Sequence, residues 1–303
     1  MIQPDAMRVF VRVAELASFT QAAEGLGLPK ASVSGAVQRL EAQLGTRLLH
    51  RTTRRVQLTQ DGQAFYERCK DLLADLEELQ QLFLPTPAAL TGRLRVDLPV
   101  GAARLLVLPR LPEFMAAHPK LEIELSCTDR RVDLVREGFD CVLRVGQLGD
   151  SSLVARPLGR LRQLNLASAA YLRAHGVPRS LEDLAGHRLI HYAAVLGARS
   201  PGFEYLDEAG RPQSLPMAGS LTVNNSEAYE AACLAGAGLA QVPVPGLSPL
   251  VEQGLLVEVL PQYQAPPMPV SLVYAHRRQL PQRVQVFMNW LTEVLRPHLL
   301  PWP

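Results

Sequence analysis

The sequence predicts an α/β protein that opens on a helix-rich unit and passes through one long amphipathic helix. Three observations carry this. Up to residue 62, apolar residues recur at helical spacing; from residue 62 to 83 they form one unbroken stripe; beyond Pro85-Thr86-Pro87, short apolar runs alternate with helical stretches. At 303 residues the chain is too long for one small core, so two or three folding units are expected. Hydrophobic residues at 48% and charged residues at 20% exclude a disordered or fibrous chain.

Residues 5–17 place Met7, Phe10, Val11 and Ala14 on one helical face. Ser18 suits the cap of a second helix over 20–26, with Gly25 and Gly27 where the chain must turn. Pro29 suits the start of a third helix that runs to Leu44 and stops at Gly45. In this helix Val33, Val37, Leu40 and Leu44 fall within a narrow arc and should pack on the first two helices. Ala31, Gly35, Gln38, Arg39 and Ala42 lie opposite, with Ser32 and Ser34 at the flanks.

That outer face is small and polar. A helix must approach base edges closely to read a major groove, and small residues permit the approach. Gln38 can pair with adenine, Ser32 and Ser34 with base or phosphate, and Lys30 can join a phosphate held at the helix start. Residues 47–51 and 56–58 read as two short paired strands, a wing with Arg54 and Arg55 at its tip for a minor groove or phosphates. Any one of these arginines also reads as a solvated charge. The succession of three helices and a basic hairpin is what points to duplex DNA. The expected DNA contacts are Thr20, Lys30, Ala31, Ser32, Ser34, Gly35, Gln38, Arg39, Arg51, Arg54 and Arg55.

Charge agrees with this, weakly. The chain carries a formal +2, but its first 62 residues hold eight cations against five anions. The four cysteines have no C-x-x-C spacing and read as reduced, mostly buried thiols. The N-terminus has no basic stretch followed by an apolar run, and no run reaches the ~18 apolar residues of a spanning helix, so a cytoplasmic protein is expected.

From Gly62 the apolar stripe Phe65, Cys69, Leu72, Leu76, Leu79 and Phe83 forms an a/d seam with acids and glutamines outside. Such a seam needs cover. The chain's own C-terminal domain is one candidate. A second chain is favoured, because the seam is narrow and ends at a proline-rich hinge. A dimer places two reading heads on one duplex and predicts an operator with approximate two-fold symmetry.

After the hinge, strands are expected at 94–98, 121–126, 140–145, 163–167, 188–192, 239–243 and 270–274. Helices are expected at 104–118, 132–137, 226–235 and 281–295. This alternation implies a parallel sheet.

The N-terminal unit resembles the LysR-type transcriptional regulators. The resemblance runs through Phe10-Val-Arg-Val-Ala-Glu15, Ser18-Phe-Thr20, Ala22-Ala23, Leu26, Ser32-Val-Ser34, Leu40-Glu41, Leu44-Gly45, Arg47-Leu-Leu49, Arg51, and Leu58-Thr59 with Gly62. It implies a winged helix-turn-helix, with the motif over residues 20–39. Family members often carry a long residue, commonly arginine, after the serine matched by Ser34; here that residue is Gly35, at a cost of about 1 kcal/mol of helix propensity against alanine. The resemblance further implies a homodimer or homotetramer, and an effector domain with the two-lobed fold of periplasmic solute-binding proteins. In this chain it rests more loosely on Leu94-Arg-Val96, Leu108-Pro109, Phe114, Leu134-Val-Arg-Glu-Gly138 with Asp140, Arg144-Val-Gly146 and Gly236-Ala-Gly238. The implied division is 1–60 for DNA binding, 61–88 for a dimerising linker helix, and 89–303 for the regulatory domain. Lobe I takes 90–161 and 267–303, and lobe II takes 162–266.

Ligands of such lobes sit at the carboxyl ends of strands, often on helix starts. That selects Val100, Gly101, Ala102, Thr128, Asp129, Arg144, Val145, Gly146, Phe203, Asn224, Asn225 and Ser226. Asn225 and Ser226 read equally as a helix cap, and Arg144 as the partner of a local carboxylate. If a ligand binds here, Arg144 and the helix starts suit a small anion. No metal and no cofactor is expected, only a small-molecule effector of unidentified chemistry.

Enzyme motifs are weak. Gly236-Ala-Gly238 lacks the third glycine of a dinucleotide loop and follows a helix, and His187 and His191 lack the glutamate of a zinc-protease motif. A two-lobed binding protein or enzyme is the alternative, and it leaves the helix-turn-helix idle. A redox sensor through Cys127 or Cys233 requires an exposed thiol of low pKa.

Overall fold

The computed structural model describes residues 2–51, 56–81, 90–149, 153–198, 200–245, 247–275 and 280–302. Arg54, Arg55 and Phe83, and the side chains of Arg51 and Leu79, lie outside this description, as does the proline-rich hinge. The chain forms two compact units, one of Met1–Arg93 with Lys120–Glu122 and one of Leu94–Pro119 with Ile123–Pro303.

The first unit holds helices α1 (Pro4–Leu16), α2 (Phe19–Leu26) and α3 (Lys30–Leu44), a hairpin of β1 (Leu49–Arg51) and β2 (Val56–Leu58), and α4 (Gln60–Gln81). Pro4 opens α1, where its missing N–H costs nothing, and Ala17 closes it in the left-handed region. Ser18 Oγ accepts from the Gln21 amide to start α2, and Gly27, at φ 64°, ends it. Gly45 ends α3 in the same way. Val9, Phe10, Val13, Ala22, Ala23, Val33, Val37, Leu40, Leu48, Leu49 and Cys69 are buried together. The antiparallel hairpin pairs Leu49 with Leu58 and Arg51 with Val56.

The second unit opens with β3 (Gly92–Leu98), α5 (Val100–Ala102), a π-helical turn (Ala103–Val107), α6 (Leu111–Ala117), β4 (Leu121–Cys127), α7 (Leu134–Glu137), β5 (Cys141–Val145) and β6 (Val154–Leu161), the first two residues of β3 and of β4 belonging to the first unit. It continues with β7 (Gln163–Ser168), α8 (Ala169–His175), β8 (His191–Tyr192), β9 (Phe203–Leu206), β10 (Pro212–Leu215), β11 (Thr222–Val223), α9 (Ser226–Leu234), β12 (Ala240–Pro243), α10 (Ser248–Glu252), β13 (Leu256–Glu258), β14 (Met268–Tyr274) and α11 (Gln282–Leu295).

A five-stranded sheet runs in the order β4-β3-β5-β14-β6, and a three-stranded sheet in the order β12-β7-β13. The parallel expectation needs correction. β3 and β5 are parallel, but β14 runs against both β5 and β6, and β12 and β13 both run against β7. The chain leaves the large sheet through β6 and returns through β14, so these two neighbours must oppose each other. Leu94, Val96, Leu98, Leu143, Leu272, Phe287 and Leu291 are all buried. The Phe114 ring meets Phe287 edge-on at 5.4 Å.

Two elements differ from expectation. The helix expected over 104–118 starts earlier, at Val100, and breaks in a turn at 108–110 before α6. Pro109 and Pro112 lack the amides a continuous helix would use, and Leu108 instead donates to Ala103 in a π-type bond. The strand expected over 188–192 pairs only through His191 and Tyr192, with an isolated bridge from Leu189 to Leu239.

Candidate DNA-reading face and ligand cleft

Helix α3 turns Val33, Val37 and Leu40 into the core, with Leu44 partly buried beside them. Lys30, Ala31, Ser32, Gln38 and Arg39 are exposed, Ser34 and Gly35 are half-buried, and Thr20 stands exposed in the first turn of α2. The Arg39 guanidinium folds back over Gly35: a Cβ added at Gly35 would lie 3.3 Å from Arg39 Nη1. A flexible cation one turn along thus covers the space that a longer residue at position 35 would take.

The hairpin is tied to α3 and α4 by polar contacts that sequence reading gave no role. Glu41 Oε1 accepts from the amides of Leu48 and Leu49 at 2.9 and 3.2 Å. Thr59 Oγ1 donates to the Arg47 carbonyl at 2.7 Å and accepts from the Gly62 amide at 2.8 Å. A Cβ at Gly62 would stand 1.9 Å from the Leu48 carbonyl oxygen, so only glycine lets α4 start against β1. In the sequence Glu41, Thr59 and Gly62 stand only among the residues of the family resemblance, and no local periodicity reveals what they hold.

The expected seam along α4 divides. Cys69 is fully buried in the unit's own core, and the Phe65 ring lies 5.4 Å from Phe10. Cys69 is therefore corrected: it serves the internal packing of α4 on α1, whereas Phe65 is half-buried beside that core. Leu73, outside the expected seam, is buried with them, whereas Leu72 is 53% exposed and Leu76 is half-buried. A heptad pattern marks apolar positions without saying which chain covers them.

In the second unit, four of the expected ligand residues meet in one hydrogen-bonded cluster. Asp129 Oδ1 accepts from the Val100 amide at 2.9 Å, and Oδ2 accepts from the Ser226 amide at 2.5 Å. Ser226 Oγ accepts from the Gly101 amide at 3.2 Å. Ala102 is half-buried beside them in α5. Asn225 caps α9 by accepting from the Glu227 and Ala228 amides, while Asn224 is exposed. The Thr128 amide donates to Leu98, and its hydroxyl accepts from the Arg130 amide.

Arg144 takes the local-carboxylate reading. Its Nη1 donates to Asp97 Oδ2 at 2.9 Å and to the Leu143 carbonyl at 3.1 Å. Burial pushes the fully buried Asp97 carboxyl above its ordinary value, against the opposing pull of Arg144 and Ser126. Asp97 was missed, although an aspartate flanked by apolar residues in a strand is a legible oddity. Val145 and Gly146 follow half-buried, Gly146 at φ 100° donating to the Pro269 carbonyl.

Phe203 is corrected. It is fully buried in a cluster with Tyr171, Leu172, Leu184 and Leu189. Tyr192, which was not expected, is half-buried against Tyr229 with ring centroids 5.6 Å apart. Burial and the nearby Asp129 push its hydroxyl up to about 12. Among the described residues no group of three or more metal-ligating side chains converges, and no helix is long and apolar enough to cross a membrane.

Residues 4–63 match the bacterial regulatory helix-turn-helix protein model of the lysR family, and residues 87–296 match the LysR substrate binding domain. The chain is 48% identical over 294 residues to an uncharacterized HTH-type transcriptional regulator, YhjC, of Escherichia coli (strain K12), covering 97% of this chain and 98% of that one. It is 38% identical over 290 residues to the HTH-type transcriptional repressor PA14_22550 of Pseudomonas aeruginosa (strain UCBPP-PA14), covering 95% and 91%. Among solved structures, the LysR-type transcriptional regulator CrgA of Neisseria meningitidis aligns with TM-score 0.59 at 31% identity, over 96% of this chain and 98% of that one. Both units and nearly the full length are thus matched together, and the chain belongs to the LysR family of transcriptional regulators, with a helix-turn-helix DNA-binding domain and an effector-binding domain.

Proposed function

We propose that this regulator works as a homodimer or higher homo-oligomer in the cytoplasm, without catalysis of its own. It reads a two-fold symmetric operator through the exposed face of α3. The observation that carries this is the division of α3 into a buried apolar arc and an exposed face of small and polar residues. In this reading Gln38 contacts base edges, Ser32 and Ser34 contact base or phosphate, and Lys30 and Arg39 neutralise phosphate. Thr20 supports the approach from α2, and Ala31 and Gly35 let the backbone come close. Arg51, Arg54 and Arg55 serve the wing.

The regulatory half would divide at residues 161/162 and 266/267 into two lobes, with a small molecule bound between them at Val100, Gly101, Thr128, Asp129 and Ser226. The exposed Leu72 supports a partner chain along the later part of α4. Effector binding would shift the population between lobe arrangements and so change the spacing of the reading heads.

The test is binding to the DNA upstream of the protein's own gene against a scrambled duplex, titrated in salt. Gln38→Ala is expected to relax discrimination at one base position by about 1–3 kcal/mol, and Lys30→Ala to weaken every sequence alike and lower the salt slope by about one. Equal binding of both duplexes at every salt concentration would remove α3 as the specific reader.

A further inference from the structure

We propose that the outer edge of β6 is a strand-docking surface, and that residues 299–302 are its resident strand, seated within the same chain and removable as a unit.

The five-stranded sheet has two outer strands, β4 and β6. An outer strand presents N–H and C=O groups to any extended segment that meets it. At β6 the chain itself returns to meet them, after α11 and a short turn at Arg296–His298. The Arg160 amide donates to the Leu300 carbonyl at 3.0 Å, and the Leu300 amide donates back to the Arg160 carbonyl at 2.8 Å. This is a single antiparallel bridge outside the regular strands. Arg160 Nε also donates to the Pro301 carbonyl at 3.2 Å, so one residue of β6 makes all three of these contacts.

The edge is shaped for such a guest. A Cβ at Gly159 would stand 2.6 Å from the Leu300 carbonyl oxygen and 2.9 Å from Leu299 Cβ, so glycine opens the place where the segment lies. Elsewhere β6 discourages pairing. Pro157 brings no amide. The register against β14 slips between Val270 and Ser271, which leaves Leu158 as a bulge. Arg156 and Arg160 set two cations along the strand, so β6 of a second copy laid antiparallel would bring like charges together. The fitting occupant is an uncharged extended segment, as Leu299-Leu-Pro-Trp302 is.

The segment is lightly held. Leu300 is 39% exposed and Trp302 48%, so hydrogen bonds rather than burial keep it in place. A strand held in this way opens locally while the sheet beneath it stays folded.

The test compares the full-length protein, the chain truncated after His298, and full-length Leu300→Pro, which lacks the amide given to Arg160. Amide hydrogen exchange is followed in residues 158–162, with residues 92–98 as the reference, and a fluorescent peptide of residues 298–303 is titrated into each protein. Truncation is expected to speed exchange at 158–162 on the order of tenfold and to leave 92–98 unchanged. The peptide should bind the truncated chain saturably and restore the lost protection, and it should not bind the wild type, whose edge is filled. Leu300→Pro keeps the whole chain, so it decides the matter should the truncated protein not fold; exchange at the Arg160 amide should rise, and the peptide should bind.

Unchanged exchange at 158–162 in a folded variant overturns the proposal. So does a folded truncated chain that ignores the peptide or binds a scrambled peptide equally well. Protection in the wild type that rises with protein concentration would put a second copy's segment on the edge and overturn the within-chain seat.

Discussion

Glu41, in the last turn of α3, holds the amide of Leu48 at 2.9 Å. With the neighbouring Leu49 amide on the same oxygen, this carboxylate ties the reading helix to the first strand of the wing. A charge-assisted bond of this kind contributes about 1.5–3 kcal/mol, and its loss leaves amides beside the buried Leu48 and Leu49 unserved. Glu41→Ala should therefore destabilise the first unit by about that amount in a urea titration. It should also weaken DNA binding while the salt slope stays at the wild-type value, since no phosphate contact is removed. A reduced slope would mean that Glu41 acts on the phosphates through its neighbours and not through the wing.

Gly62 makes a sharper demand. The 1.9 Å approach between its missing Cβ and the Leu48 carbonyl oxygen is backbone against backbone, and no rotamer relieves it. Gly62→Ala is a gain for helix propensity in isolation, yet here α4 must shift off β1. The expected outcome is a loss of about 3 kcal/mol or more, since forced repacking commonly costs about 1–3 kcal/mol and the obstacle is rigid. Retention of wild-type stability in the folded variant would show that α4 can start elsewhere at little cost.

These two residues show what sequence reading reaches. The helices of the first unit were legible because their signals are local: the Ser18 cap, the left-handed Gly27 and Gly45, and the arc of Val33, Val37 and Leu40 each act within a few positions. Glu41, Thr59 and Gly62 act across the hairpin, so only their matching types were visible. Cys69 fits the apolar stripe yet is covered by its own chain, because periodicity records burial and not its cause. Phe203 failed for a related reason, its side chain falling on the core side of β9. Asp129 was selected as a residue after a strand, but its hold on Ser226 depends on a contact across 97 positions that no local pattern encodes.

The cysteines allow a direct check on the redox alternative. Cys69, Cys141 and Cys233 are buried, and burial pushes their thiols far up, Cys69 and Cys233 to about 12. Cys127 is exposed, yet partial burial and the nearby Asp97 raise it as well. The thiolate is the reactive form, so at neutral pH a maleimide should label one thiol slowly in the folded protein and all four in denaturant. Rapid labelling, or modification of Cys233 before unfolding, would revive a redox-sensing role.

His187 supplies the clearest pH dependence. The ring is buried near Tyr171, and its Nδ1 has no hydrogen-bond partner among the described residues. Burial, followed by the positive charge of His175, lowers its pKa, with Asp183 opposing. The folded value therefore lies below the ~6.5 of an unfolded chain. Between the two values the unfolded state binds more protons, so stability rises with pH across that window. Its contribution is complete above the unfolded value and is lost as the pH falls toward the folded one. The Tm of the full-length protein should drop as the pH falls through about 6.5 and below, and His187→Leu, which removes the titrating ring at similar volume, should flatten that drop. Parallel curves for the two proteins would assign the acid sensitivity to other groups and leave His187 as a packing residue.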